Sequence, residues 1–332
     1  MNITRKFIAE KAGVSPTAVS DVLNNNPIAR IGKEARKRIL STAKKYNYFP
    51  NITARSLVMQ KTFNIGFINT IPIASFVTYP FNNDIFIGLE KAIEDNGYSL
   101  VFSLLKSDGE MNFSVRKMIL GNIVDGIVLY GHVKEDLVKL LMKNRIPFVL
   151  IDYYLESMKT NAVLPDNSGG AYEATKYLID QKLKKIICLN GNEDHPAYKE
   201  RPKGYSKAMK ESKLIPEILS CGTFIEDGYE FMTGLLKKGN IPEAIITTGD
   251  PMAIGVLRAL KEKRIKVPDQ IKLIGFDNIY LTELESPKLS TVDVPKIELG
   301  QEAVRLLLQN ILKKGTPSIL RLPTKLILRE TT

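Results

Sequence analysis

Tryptophan is absent from this 332-residue chain, and histidine and cysteine occur twice each. Cys188 and Cys221 give neither a disulfide framework nor the paired spacing of a zinc site. His132 and His195 stand in no context that joins a base to a nucleophile and an orienting acid. His195, in the loop Asn190–Pro196, reads as a solvated histidine. No apolar run is long enough to span a bilayer, and the first residues lack the apolar core of a signal peptide. Neither G-x-G-x-x-G nor G-x-x-x-x-G-K-[ST] occurs, so a dinucleotide-dependent enzyme or a P-loop kinase has no signature. We expect no catalytic residue, no metal, no cofactor and no membrane partner, and a cytoplasmic location.

What is present is basic charge, unevenly placed. The net charge is +11, and residues 1–61 hold 12 Lys/Arg against Glu10, Asp21 and Glu34. That segment is +9, while the remainder is +2. A basic head on a nearly neutral body points to a polyanionic partner at one end. A secreted ligand-binding module would need a signal peptide and would not need this head.

The head carries a local motif. Thr4 can cap a first helix bearing Phe7, Ile8 and Ala12, and Gly13 breaks it. Ser15 is a good N-cap for a second helix, and Pro16 fits its first position, where a missing N–H costs nothing. Val19, Val22 and Leu23 form one apolar stripe, while Thr17, Ser20, Asp21 and Asn24 point elsewhere. Two helices one tight turn apart, the second presented outward, make a helix-turn-helix. A third helix, Lys33 to Tyr46, would turn Ala35, Ile39, Leu40 and Ala43 inward. Tyr48-Phe49-Pro50 stops it. Asn51 can cap a short helix, Ile52 to Met59, too short to hold alone in water and expected to order on binding.

After Lys61 short apolar runs alternate with amphipathic stretches. The runs are 64–70, 98–105, 125–131, 147–152, 162–165, 185–190, 244–248 and 272–276. The helical stretches are 84–96, 112–121, 134–144, 169–181, 197–212, 226–238, 251–263 and 296–313. Such alternation predicts parallel sheets covered by helices on both faces, here two doubly wound halves, with ligands at the carboxyl ends of strands. The reading is an all-α helix-turn-helix domain (1–50), a hinge helix and linker (51–61) and an α/β body (62–332). The body's first half takes about 62–161 and 293–321, its second about 162–289 and 322–332.

These stretches carry a resemblance. Ile8-Ala9, Ala12-Gly13-Val14-Ser15, Val19-Ser20, Val22-Leu23-Asn24, Arg30-Ile31-Gly32-Lys33-Glu34 and Ala54-Arg55-Ser56-Leu57 resemble the head and hinge of the lactose-repressor/galactose-repressor family. Asp166-Asn167, Arg201-Pro202-Lys203-Gly204-Tyr205, Asp250-Pro251-Met252, Gly275-Phe276-Asp277 and Pro323-Thr324-Lys325-Leu326 resemble landmarks of its body. The resemblance implies a homodimeric transcriptional repressor on a palindromic double-stranded operator. It also implies a periplasmic-binding-protein-like body that takes a small-molecule effector, a sugar or sugar derivative, with a nucleobase as the alternative. Three positions depart from the family pattern: Phe7 where an Asp is frequent, Asp21 where a basic or polar base-reading residue is frequent, and Gly249 where an Asn is frequent.

Candidate DNA contacts are Thr4, Ser15, Pro16, Thr17, Ser20, Asp21, Asn24, Arg30, Asn51, Ala54, Arg55 and Leu57. Asp21 can accept from cytosine N4 and Thr17 can meet a thymine methyl. By the resemblance, Leu57 is a minor-groove wedge, whose unstacking cost is offset by contacts to bent DNA. Candidate effector contacts are Phe76, Tyr79, Phe81, Asn82, Asp152, Arg201, Phe224, Asp250 and Asp277. Aromatic rings can stack on the C–H face of a sugar, and Arg201 offers a rigid fork of donors.

Overall fold

The computed structural model describes residues 3–23, 29–49, 56, 59–72, 76, 79–105, 111–191, 195–239, 241–312 and 316–332. The candidates Asn24, Asn51, Ala54, Arg55 and Leu57, and most of the expected hinge helix, lie outside them. The chain divides into two compact units, residues 1–62 and 63–332.

The first unit holds α1 (Arg5–Ala12), α2 (Pro16–Leu23) and α3 (Lys33–Lys45). The Thr4 hydroxyl accepts from the Phe7 N–H at 3.2 Å, and the Ser15 hydroxyl accepts from the Ala18 N–H at 3.1 Å. Gly13 ends α1 at φ +65°, a left-handed conformation that costs a side-chain-bearing residue more, and its N–H donates back to the Ala9 and Glu10 carbonyls. Ile8, Ala9, Ala12, Val19, Val22 and Ile39 form a shared core. Leu40 departs from expectation and stays exposed, because Ile39 and Ala43, four residues apart, take the inner face of α3. Phe7 meets Tyr46 edge-on at 5.0 Å, which gives the unusual aromatic a packing role.

The second unit contains two six-stranded sheets. Its elements are β1 (Asn64–Asn69), α4 (Pro80–Asp95), β2 (Ser99–Leu104), α5 (Phe113–Leu120), β3 (Gly126–Tyr130), α6 (Glu135–Lys143), β4 (Phe148–Ile151) and β5 (Ala162–Pro165). They continue with α7 (Asn167–Asp180), β6 (Ile186–Asn190), α8 (Pro196–Glu211), β7 (Glu217–Ser220), α9 (Ile225–Lys237), β8 (Ala244–Thr247), α10 (Asp250–Glu262) and β9 (Lys272–Asp277). The end of the chain adds α11 (Leu281–Leu284), β10 (Ser290–Asp293), α12 (Lys296–Ile311), β11 (Ile319–Leu322) and β12 (Lys325–Ile327).

The first sheet runs β11-β5-β4-β3-β1-β2 and is parallel throughout. The second runs β12-β10-β9-β8-β6-β7, parallel except for its edge strand β12. Residues 162–165 belong to the first sheet, where β5 lies between β4 and β11, so the crossover follows Pro165 rather than residue 161. Four strands escape the apolar pattern. β7 is a largely exposed edge, β10 is buried but reads Ser-Thr-Val-Asp, and β11 and β12 are short, half-exposed edges. Helix α4 begins at Pro80, four residues earlier than its amphipathic pattern suggests. It packs on α12 so closely that a Cβ on Gly88 would lie 2.0 Å from the Ile297 carbonyl oxygen, and one on Gly300 2.3 Å from that of Ile85.

Candidate functional site

On the head, Ser15, Pro16 and Thr17 are exposed at the start of α2, and Ser20 and Asp21 are half-buried further along it. Thr4 and Arg30 are also exposed, and Thr4 spends its hydroxyl on capping α1. The second helix is therefore held from behind by Val19 and Val22 while short polar side chains occupy its outer side. That arrangement suits the major groove, which admits an α-helix and shows each base pair a distinct donor and acceptor pattern.

In the body, the carboxyl ends of β1, β3, β4 and β9 and the first turns of α4, α8, α9 and α10 surround a cavity of about 430 Å3. Tyr79, Phe81, Asn82, Asp152, Arg201, Phe224 and Asp277 all line it, joined by Tyr130, His195 and Tyr198. Two of the expected residues do not. Phe76 packs among Phe67, Phe86, Phe102 and Tyr130 in the core, since a large apolar ring gains more from full burial there. Asp250 is fully buried beneath the floor, where its carboxylate accepts from the Thr291 hydroxyl at 2.6 Å and the Ile279 N–H at 2.9 Å. Burial pushes its pKa well up, and the nearby Asp277 adds to the rise.

Arg201 organises the polar side. It sits in the second turn of α8, donates from Nε to Asn167 at 2.8 Å and from a terminal nitrogen to the Thr248 carbonyl at 2.7 Å, and pairs with Asp277 at 2.8 Å. Its guanidinium lies over the Phe276 ring, 3.8 Å from the centroid. Asp277, at φ +110°, ends β9 and also accepts from the Tyr79 hydroxyl at 2.8 Å, a bond that crosses between the two halves. Lys296 holds the backbone of this turn, donating to the carbonyls of Asp277 and Val294 at 2.7 and 3.1 Å. Nothing in its sequence position marks Lys296 for this task, because it starts an ordinary amphipathic helix.

The other end of the cavity is built around Asp152, directly after β4. Its side chain is buried, Oδ1 has no hydrogen-bond partner among the described residues, and burial pushes its pKa up to about 7. His195 lies 3.8 Å from its other oxygen. His195 is no solvated loop residue. Burial, with help from Arg201 and His132, holds its pKa down at about 3, so it is neutral, and its Nδ1 accepts from the Ala197 N–H at 3.3 Å to cap α8. The signal that could have found it is the proline that follows, since Pro196 marks a helix start. Among the described residues no group of three or more His, Cys, Asp or Glu could hold a metal ion, and no helix is long and apolar enough to cross a membrane.

Comparison with known proteins bears on both units. Residues 6–51 match the family described as bacterial regulatory proteins, lacI family, and residues 175–332 match the periplasmic binding protein-like domain. The HTH-type transcriptional repressor PurR of Histophilus somni (strain 2336) is 33% identical over 99% of this chain and 98% of its own length. Two solved structures share the fold across the whole chain. One is the lac repressor dimer bound to operator and the anti-inducer ONPF, at TM-score 0.78 and 22% identity, covering 100% of this chain and 99% of that one. The other is the complex of the transcriptional regulator CelR with cellobiose, at TM-score 0.74 and 24% identity, covering 100% of both chains. With a helix-turn-helix head, a two-sheet body and a full-length repressor relative, this chain belongs to the lacI family of bacterial regulatory proteins and is a DNA-binding transcriptional repressor of that type, not an enzyme.

Proposed function

We propose that this repressor works in the cytoplasm as a homodimer on a palindromic operator, and that a carbohydrate bound between the two halves of the body sets its operator affinity. The supporting observation is the cavity itself, with aromatic rings of Tyr79, Phe81 and Phe224 beside the hydrogen-bonding groups of Asp152, Arg201 and Asp277. Tyr79 and Phe81, near-parallel at 6.1 Å, come from the first half, and Arg201 and Asp277 come from the second. A ligand that touches both halves favours one mutual arrangement of them, which is what an allosteric effector requires. The cellobiose complex of a protein with the same fold agrees with a sugar. On the head, Ser15, Pro16, Thr17, Ser20 and Asp21 read bases or position α2, and Arg30 meets phosphate. Asn24, Asn51, Ala54, Arg55 and Leu57 extend that contact by the resemblance alone.

The test is a thermal-shift screen of sugars and nucleosides on the full chain, followed by operator titration with and without each compound that stabilises it. A cleft ligand raises the melting temperature of the native protein and changes operator affinity. Failure of every stabilising compound to alter operator binding would remove the coupling.

A further inference from the structure

The cavity's charges are lopsided. Arg201 is the one lysine or arginine among its described lining residues, against the carboxylates of Asp152, Asp277 and Glu226. Arg201 is already committed to Asn167, Thr248 and Asp277. Some of the amide hydrogens at the helix starts around the cavity are missing or spent. Helices α4, α8 and α10 carry proline in their first turn, where the amide hydrogen is missing, and the Phe224 N–H at the start of α9 donates to Asp227 at 2.8 Å. A phosphate would therefore meet net negative charge and a single arginine that is already paired.

Resting on the reading of this cleft as a carbohydrate site, we infer that the effector is an amino sugar whose ammonium group pairs with Asp152, and that phosphorylated sugars are excluded. Asp152 carries the inference by its geometry. Its side chain is more than nine-tenths buried, it lines the cavity, and its Oδ1 has no partner among the described residues. The groups around it are the neutral His195 at 3.8 Å, the phenols of Tyr130 and Tyr198, and, among charged residues, Arg201, Asp277 and Glu200, with Arg201 turned to Asp277. A buried carboxylate without a cation of its own gains most from a ligand that brings one, because charge-assisted hydrogen bonds are the strong ones and removal from water strengthens them. A hydroxyl in the same place supplies a donor but no charge, and a phosphate supplies the wrong sign.

The experiment is calorimetric titration and thermal shift of the full chain with matched sets: glucosamine, glucose and glucose 6-phosphate, then the galactose and mannose sets. In at least one set the amino sugar should bind roughly tenfold or more tighter than the neutral sugar, with no binding of the phosphate. Asp152→Asn, nearly the same shape, should abolish that preference. The wild-type ranking stands as a test even if the variant folds poorly. Binding of a phosphorylated sugar, or equal binding of amino and neutral forms, overturns the inference and leaves the carbohydrate reading standing. Absence of any shift across all the sets, while a nucleoside does stabilise the protein, overturns both.

Discussion

The head and the body treat charge in opposite ways. The first 61 residues carry +9, and their cations Arg5, Lys6, Lys11, Lys33, Arg36, Lys37, Arg38, Lys44 and Lys45 are exposed over a core of six buried residues. The body is almost neutral overall, yet it buries Asp152, Glu200, Arg201, Asp250, Asp277 and Lys296. Exposed charge acts at a distance and is screened by salt, whereas buried charge acts at contact and is screened far less. The two binding functions of one chain should thus answer to different physical variables.

The sharpest way to break the buried set is Arg201→Ala. It removes the partner of Asp277 and the donor to Asn167 and the Thr248 carbonyl in one step. Breaking a buried pair by deleting one member costs about 3–5 kcal/mol. Urea unfolding followed by tyrosine fluorescence, to which the body contributes eleven of the 13 tyrosines, should show that loss, and a drop under about 1 kcal/mol would mean that the network is not holding the cleft. Salt comes next in size. Raising it from about 50 to about 200 mM should weaken operator binding on the order of a hundredfold or more, through release of counterions from the phosphates. Affinity for the cleft ligand should move by less than about twofold over the same range. Parallel salt slopes in the two titrations would contradict the contrast between head and body.

A smaller effect should follow Asp21→Ala. If Asp21 reads a base, the change costs about 1–3 kcal/mol of discrimination at one operator position and leaves other positions alone. Binding to a randomised operator library checks this, and a uniform rise for every sequence would show that Asp21 only repels phosphate. The smallest effect is in pH. Asp152, raised from its ordinary 3.8 to about 7, holds a proton in the folded state that the unfolded chain has released, so its contribution to stability falls as pH rises between those values. His195, lowered from 6.5 to about 3, lacks a proton that the unfolded chain holds, so its contribution rises with pH over about 3 to 6.5. In the wild type these slopes oppose each other between pH 4 and 6.5. Asp152→Asn removes that falling contribution and should make the slope of stability against pH more positive than in the wild type, by at most about 1.4 kcal/mol per unit. Chemical denaturation at pH 4.5, 5.5 and 6.5 measures it, and a slope unchanged from wild type would free Asp152 from its buried role.

The same contrast explains what could be read from the residues alone. The caps Thr4 and Ser15, the break at Gly13 and the stripe of Val19 and Val22 act within a few residues of each other, so a local pattern displays them. Strand and helix alternation in the body is local too. The cleft is not, because Tyr79 meets Asp277 across 198 positions and Arg201 meets Thr248 across 47. Sequence could nominate Asp152, Arg201 and Asp277 as charged residues at or after strand ends, but not that Arg201 and Asp277 neutralise each other while Asp152 is left over. Phe76 and Asp250 lie off the cavity lining for one reason: an apolar ring and an acid beside a cleft can each turn into the core, and only packing and hydrogen-bond partners decide which way. β10 escapes the apolar pattern because its buried polar side chains find partners far along the chain, Thr291 donating to Asp250 41 positions away.

The two strands at 319–322 and 325–327 have a bearing on how the molecule comes into being. β11 closes the edge of the first sheet and β12, two residues later, closes the edge of the second. Beyond them the fully buried Thr331 exchanges hydrogen bonds with Leu273, its hydroxyl donating to the Leu273 carbonyl at 2.7 Å and its carbonyl accepting from the Leu273 N–H at 2.9 Å. Domains assemble from the amino end while the ribosome is still working. The head can therefore take shape early, but the two halves of the body are finished only once residues 319–322 and 325–327, in turn, have left the exit tunnel. A nascent chain would thus carry a folded DNA-binding head before it carries a finished switch, and prematurely terminated chains would expose two open sheet edges at once, a recognised route to aggregation and disposal.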